Sequence, residues 1–297
     1  MRFGVVLNAH LAATAALGER ITASCRSTGA DARVVVAEGA RLAAATRQLL
    51  ADGETIVAAG GGDGTISTVA SVLVAANATL GVLPLGTLNH FAHDLGIPLR
   101  LEDAIAAIST GHVTQVDVGD VNGRFFINNS SVGLYPRLVW EREQRQRQGH
   151  RKWTAMAAAV WTVWRRYRRV TVAVNAGPEG PARVHTPFVF VGNNPYQLSG
   201  LSFGSRQALD TGRLQVCMAP ELSASGVVRV LGATLAGRLD SFDHFVALET
   251  ASLTIDARRP RLGVSLDGEI MVLPTPLRYH IRPAALRVAV PRRDAAS

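Results

Sequence analysis

The sequence predicts a two-part α/β protein: an N-terminal domain with a mainly parallel sheet, then a mostly antiparallel β-sandwich domain. Three observations carry this expectation. Up to about residue 120, short apolar runs alternate with amphipathic stretches of about 10–15 residues, as βαβ units do. Beyond that point, strand-like runs follow one another with few helices between them. No Pro/Ser-rich linker separates the halves, so the two domains should meet closely and enclose a cleft.

The elements follow in order. Phe3–Leu7 reads as a strand, Leu11–Thr28 as a helix ended near Gly29, Ala32–Ala37 as a second strand and Ala40–Ala51 as a second helix. Thr55–Ala59 is a short apolar strand running into glycines, followed by a helix over Thr65–Ala76, a strand over Thr79–Pro84 and a helix over Glu102–Thr110 closed by Gly111. The strand-rich part comprises Val113–Val121, Gly123–Ser131, Val170–Asn175, Thr186–Val191, Arg213–Ala219, Ala251–Asp256, Gly263–Leu266 and Leu277–Ile281. The expected domains are 1–118 and 119–290, with a frayed tail over 291–297.

Composition narrows the chemistry. At 297 residues, 47% hydrophobic and 18% charged, the chain has material for two cores and is not of disordered type. The segment Arg137–Arg169 holds ten basic residues against Glu141 and Glu143, which equals the whole net charge of +8. Such a local patch suits an anionic surface or ligand. Lys152 is the only lysine, so a Walker-type loop, which needs a lysine beside its last glycine, is excluded. Cys25 and Cys217 share no motif and read as free thiols of a reducing compartment. The N-terminus lacks the apolar core and cleavage site of a signal peptide. The uncharged stretch Ile66–Asn89 is interrupted by Asn77, Gly81, Pro84 and Gly86, so it reads as a buried helix and strand rather than a membrane span.

Two loops carry the chemistry. Gly60-Gly61-Gly62-Asp63-Gly64-Thr65 sits where a strand ends and a helix starts, the edge at which open α/β sheets bind ligands. Glycines admit phosphate oxygens close to the backbone, and a helix N-terminus offers amides and a favourable dipole. Asp63 would repel a bare phosphate, and so reads as a group that holds Mg²⁺ on the phosphates or orients an attacking hydroxyl. Leu83-Pro84-Leu85-Gly86-Thr87-Leu88-Asn89 follows the next strand, and its Thr87 and Asn89 can reach phosphate or ribose from beside the first loop. Asp267-Gly268-Glu269 has the form of a hairpin turn, with a carboxylate on each side of the glycine.

Together these motifs resemble the catalytic domain of diacylglycerol kinases and the related sphingosine and ceramide kinases, bacterial lipid kinases included. Asp117-Val118-Gly119, Phe126–Leu134, Leu209–Leu214 and Leu266–Glu269 continue the resemblance in order along nearly the whole chain. The glycine loop alone is shared with the more distant NAD kinases. The resemblance implies ATP and Mg²⁺ as cofactors. It implies a nucleotide site of Asn8, Gly61, Gly62, Asp63, Gly64, Thr65, Thr68, Thr87 and Asn89. It also implies a catalytic set of Asp63, Asp117, Asp267 and Glu269, with Glu269 as proton acceptor, and Asp210 at a structural Mg²⁺ loop. The chain departs from the family at Asn8-Ala9-His10-Leu11-Ala12, where a Pro and a Ser-Gly are usual, and at Thr211, where an Asp is usual.

Between Trp153 and Tyr167 the apolar residues fall on one face at helical spacing, with basic residues largely opposite. A helix over 151–169 would therefore suit the surface of an anionic membrane, with tryptophans as anchors. No nucleic-acid motif accompanies the charge. The expected function is an ATP-dependent kinase of a diacylglycerol-like lipid, cytoplasmic and peripherally membrane-associated, with a homodimer admitted but not demanded. The alternatives are a kinase of a soluble acceptor, as in NAD kinases, and a catalytically weak nucleotide or lipid sensor.

Overall fold

The structure, a computed structural model, describes residues 1–11, 13–133, 170–175, 181–186, 188–199, 202–218, 246–257 and 259–292. The basic segment with its expected 151–169 helix lies outside the described residues.

The N-terminal part alternates as expected: β1 (Arg2–Asn8), α1 (Thr14–Ser27), β2 (Asp31–Ala37), α2 (Ala40–Ala51), β3 (Ile56–Gly61), α3 (Asp63–Ala76) and β4 (Thr79–Pro84). The strands pair in parallel in the order β2-β1-β3-β4. β4 is buried along its whole length and β3 along nearly all of it, the mark of strands covered on both faces. Helix α2 buries Leu42, Thr46 and Leu49, and α3 buries Ile66, Val69, Ala70 and Leu73, each at the spacing of one helix face. α4 (His90–Asp94) and α5 (Leu101–Thr110) follow, the latter seated by Leu101, Ala104, Ile105 and Ile108.

β3 runs two residues further than expected, into the glycines, and α3 begins two residues earlier. Only Gly62 separates strand from helix. Side chains would forbid this: a Cβ on Gly60 would lie 2.8 Å from Leu7, and one on Gly61 would lie 2.5 Å from the Thr65 hydroxyl.

The second part contains β5 (His112–Val121), β6 (Arg124–Phe126), β7 (Asn129–Gly133), β8 (Val170–Asn175), β9 (Pro181–Thr186) and β10 (Phe188–Asn193). It continues with β11 (Tyr196–Ser199), β12 (Ser202–Arg206), β13 (Leu214–Met218), β14 (Val246–Thr250), β15 (Ser252–Asp256), β16 (Arg261–Leu266), β17 (Glu269–Pro274) and β18 (Leu277–Val290). Six of these form an antiparallel sheet, β14-β13-β10-β7-β16-β17. Its core gathers Val132, Val191, Leu214, Val264 and Tyr279. The strand expected over Gly123–Ser131 is broken at Ile127-Asn128, whose amides turn to a carboxylate rather than to a neighbouring strand.

β18 differs most from expectation. Instead of stopping at Ile281 it continues to Val290, pairing antiparallel with β5 and, at Arg287–Val288, parallel with β4. A register shift between Arg282 and Leu286 spans Pro283, which has no N–H to give. The end of the chain thus completes the N-terminal sheet, and the two parts share one ten-stranded sheet rather than meeting only at a boundary near residue 118. Leu286 and Val288 belong to the N-terminal core.

Candidate functional site

Two glycine loops meet at the carboxyl edge of β3 and β4. A Cβ on Gly86 would fall 2.4 Å from the Gly62 Cα, so the loops touch backbone to backbone and the contact requires glycine at 86. Gly62 caps α3 in an extended conformation, and its carbonyl accepts the Thr65 and Ile66 amides at 2.9 and 3.1 Å. The leading amides and the positive end of the α3 dipole face this edge. A Cβ on Gly64 would meet only Glu269 Oε1, at 4.0 Å. The floor between the loop and Glu269 is therefore free of side chain.

Several of the residues expected at the nucleotide site are bonded within the loops. Thr65 is buried and accepts a hydrogen bond from Asn8 Nδ2 at 2.7 Å, while Asn8 Oδ1 accepts the His10 amide at 2.9 Å. Asn89 is buried in a left-handed conformation; its Oδ1 accepts the Gly86 amide and its Nδ2 donates to the Gly86 and Pro84 carbonyls. These three residues brace the cradle from behind. Thr87 stands exposed on the crest of the second loop, and Thr68 donates its proton to the Gly64 carbonyl at 2.8 Å. Asp63 opens α3 and accepts the His90 and Phe91 amides, both at 3.3 Å, thereby holding the start of α4 to the first loop.

The four expected acids divide into two kinds. Asp267 accepts amides from Ile127, Asn128 and Asn129 at 2.8, 2.8 and 2.9 Å, and the Ser67 hydroxyl at 2.5 Å. Burial pushes its carboxyl up, and these four donors pull against the shift. Its oxygens hold the β7 edge against α3. Asp117 is 1% exposed, and its oxygens accept the Gly212 and Ala284 amides at 2.7 and 2.9 Å. It clamps β18 and the 209–212 turn to β5. Asp63 and Glu269 remain accessible. Packing, and then the negative charge of Asp267, push the Glu269 carboxyl above the ordinary carboxylate range.

Asp210 is exposed, and no group of three His, Cys, Asp or Glu side chains able to hold a metal exists among the described residues. The Thr211 amide and hydroxyl donate to Asn194 Oδ1 at 2.9 and 2.6 Å. Among the described residues, the structural Mg²⁺ loop expected at Asp210 has no carboxylate set. Asp63 alone suits a Mg²⁺ carried in on nucleotide phosphates, since that ion keeps much of its shell in water and phosphate oxygen. Cys25 and Cys217 are buried free thiols, each pushed up to about 11 by burial.

Arg206 was not legible as a site residue. Its side chain is fully buried; Nε donates to Asp94 Oδ2 at 2.7 Å, Nη1 to the Ile127 and Asn193 carbonyls, and Nη2 to Asn128 Oδ1. It also lies 5.2 Å from the Tyr196 ring centroid and 6.0 Å from that of Phe91. A continuous run results: Asp63 holds the head of α4, Asp94 at its tail holds Arg206, Arg206 holds residues 127–128, and their amides hold Asp267, bonded back to Ser67 on α3. Glu269 lies two residues further on. The Gly192-Asn193-Asn194-Pro195 run after an apolar strand is the sequence signal that could have found this junction.

Beside Glu269 a cleft of about 540 Å³ runs between α2, α3, the β5–β6 turn and β16–β17. Its volume is that of a small-molecule site. Leu50, Val72, Phe125 and Met271 give it apolar walls, and Ser67, Thr68 and Glu269 mark the end nearest the glycine loop.

Comparison with known proteins agrees with this architecture. Residues 3–121 match the family described as diacylglycerol kinase catalytic domain, and residues 139–290 match the YegS C-terminal NAD kinase beta sandwich-like domain. A Pseudomonas aeruginosa protein named "Probable lipid kinase YegS-like" is 31% identical over 237 residues, covering 78% of this chain and 76% of that one. A Yersinia pestis protein of the same name is 43% identical over 88 residues, 28% of this chain and 30% of its own. The crystal structure of a diacylglycerol kinase from Bacillus anthracis superposes with a TM-score of 0.66 at 17% identity, covering 97% of this chain and 96% of that one, and so shares the fold.

Proposed function

The chain belongs to the diacylglycerol kinase catalytic-domain family, and from that premise we propose that it transfers the γ-phosphate of ATP to a lipid hydroxyl, with Glu269 as proton acceptor. The observation that carries the reading is the Glu269 carboxylate oxygen, 4.0 Å from where a Gly64 side chain would begin. A carboxylate overlooking a helix N-terminus across a gap kept open by glycine fits a hydroxyl lying between base and phosphate.

Gly62, Gly64 and the α3 amides would cradle the phosphates, with Thr87 reaching them from the second loop. Asp63 would hold Mg²⁺ bound to ATP, and that ion would supply neutralisation of phosphate charge. In the step itself the hydroxyl oxygen forms a bond to the γ-phosphorus, and the bond from that phosphorus to the β,γ-bridging oxygen breaks. The hydroxyl proton passes to Glu269 and ADP leaves. The raised Glu269 carboxyl makes it a stronger base than an ordinary glutamate once ionised. Asp117 and Asp267 are assigned to holding backbone rather than to this step, since they accept amides at 2.7–2.9 Å, against 3.3 Å for the two amides at Asp63. No described helix is long and apolar enough to cross a membrane, so lipid would be met at a surface. We place the basic 151–169 segment at that surface.

The test is transfer of labelled γ-phosphate from ATP to extracted lipids, with NAD as the soluble competitor. Label in lipid that depends on Asp63 and Glu269 supports the reading. Label in NAD and none in lipid refutes it.

A further inference from the structure

A structural Mg²⁺ is held by an octahedron of about six oxygens, carboxylate among them. At the 209–212 turn, where the family resemblance implies such an ion, the oxygens already have donors. Asn194 is fully buried just past the end of β10, and its Oδ1 accepts both the Thr211 amide at 2.9 Å and the Thr211 hydroxyl at 2.6 Å. Asp117 takes the Gly212 amide on one oxygen and the Ala284 amide on the other. The Leu209 carbonyl accepts the Asp117 amide at 2.7 Å, and the Arg213 carbonyl accepts the Asn194 amide at 3.1 Å. The Asn193 carbonyl accepts Arg206 Nη1 at 3.0 Å, so a guanidinium stands against it. The remaining carboxylate of the turn, Asp210, is exposed.

The orientation of the Asn194 side chain follows from its partner. A backbone N–H must meet an oxygen, so Oδ1 faces Thr211 and Nδ2 is turned away. That Nδ2 is buried and has no hydrogen-bond partner among the described residues. A buried N–H donor beside a guanidinium is the opposite of a cation's lining. We infer that the Asn194 side chain does here the work of the structural cation: it holds the 209–212 turn through Thr211, and the fold needs no divalent ion at that turn. Asn194 and Thr211 act as a pair. Thr211 sets two donors against Oδ1, whereas the Asp usual at this position would set a carboxylate against it. Asn193 adds to the same junction by donating Nδ2 to the Asp117 and Ile127 carbonyls at 2.8 and 2.9 Å. The turn is thereby tied to β10 and, through Asp117, to β5 and β18 by protein groups alone. This concerns the fold and leaves the Mg²⁺ carried on ATP at Asp63 untouched.

The experiment follows thermal unfolding of the full chain without nucleotide, in excess Mg²⁺ and in excess EDTA at matched ionic strength. An ion bound only by the folded state raises the midpoint with its concentration. Asp63→Ala is run alongside, so that an ion at the glycine loop is not counted. The expected midpoint is the same in Mg²⁺ and in EDTA. Thr211→Val keeps the amide but loses the hydroxyl donor, and Asn194→Ala loses the acceptor; both should unfold at lower temperature, by the same amount with and without Mg²⁺. Thr211→Asp should unfold earlier than the native chain in EDTA and recover in Mg²⁺. A midpoint that rises with Mg²⁺ in the native chain and in Asp63→Ala alike overturns the inference, as does one divalent ion per chain retained by Asp63→Ala through gel filtration. Native midpoints for Thr211→Val, or for Thr211→Asp in EDTA, overturn the pairing of Thr211 with Asn194. None of these readings uses phosphate transfer, so they stand or fall apart from the kinase reading.

Discussion

Replacing Asp94 by Asn removes the carboxylate that faces the buried Arg206 guanidinium. The pair is almost wholly withdrawn from water, with side-chain exposures of 0% for Arg206 and 4% for Asp94. Breaking a buried pair by neutralising one partner costs about 3–5 kcal/mol, because the other charge is left uncompensated. Arg206 would keep its carbonyl acceptors on Ile127 and Asn193, the Asn128 side chain and the two aromatic faces. That argues for the lower end, about 3 kcal/mol, against a total stability of about 5–15 kcal/mol. The assay is urea denaturation, read as a fall in midpoint at unchanged slope. Asp94→Asn combined with Arg206→Met removes both charges but should recover little of the loss, because the buried Ile127 and Asn193 carbonyls and Asn128 Oδ1 lose their donor. The reasoning fails if Asp94→Asn unfolds at the native midpoint, or if the double variant regains it.

Three further outcomes follow from the same geometry. Gly86→Ala would drive a Cβ to within 2.4 Å of the Gly62 Cα; it should cost about 1–3 kcal/mol and weaken ATP binding, measured by calorimetry. Asp267→Asn removes a negative charge that helps raise Glu269, so the Glu269 carboxyl should fall back towards its ordinary value and the acid limb of kcat/KM should move to lower pH. An unmoved limb would mean that Glu269 does not titrate in that limb. Glu269 binds its proton more tightly folded than unfolded, so its contribution to stability is lost as pH rises from the ordinary carboxylate value through the raised one. Glu269→Gln should therefore be at least as resistant to urea as the native protein at neutral pH, and lower resistance would show that the ionised carboxylate supports the fold.

Much of the architecture was legible because it rests on local periodicity. The bounds of α2 and β4 match expectation, and α5 is within one residue, because each has its own apolar pattern and a clear stop. β18 extends beyond the expected Ile281, because the strand resumes after a bulge at Pro283 to pair with β4, some two hundred residues away in sequence. The break at Ile127-Asn128 was hidden for a related reason: its cause is Asp267, a remote carboxylate. The site showed the same limit. The structure puts Gly64 beside Glu269, but residue type and motif could not show which carboxylates backbone amides take up. Asp63, Asp117 and Asp267 are bonded in this way, and only their amide partners reveal it. Arg206 carried no local signal, because an arginine buried among carbonyls looks in sequence like any other arginine.

In the proposed reaction, Glu269 takes the proton of a lipid hydroxyl attacking ATP held at the Asp63 loop. The decisive comparison is transfer of labelled γ-phosphate to vesicle lipid by the native chain and by Glu269→Gln, with ATP affinity measured in parallel. Glu269→Gln should bind ATP as the native chain does and lose about 10²–10⁴-fold in transfer, the worth of a positioned base. Native-rate transfer by Glu269→Gln would contradict it.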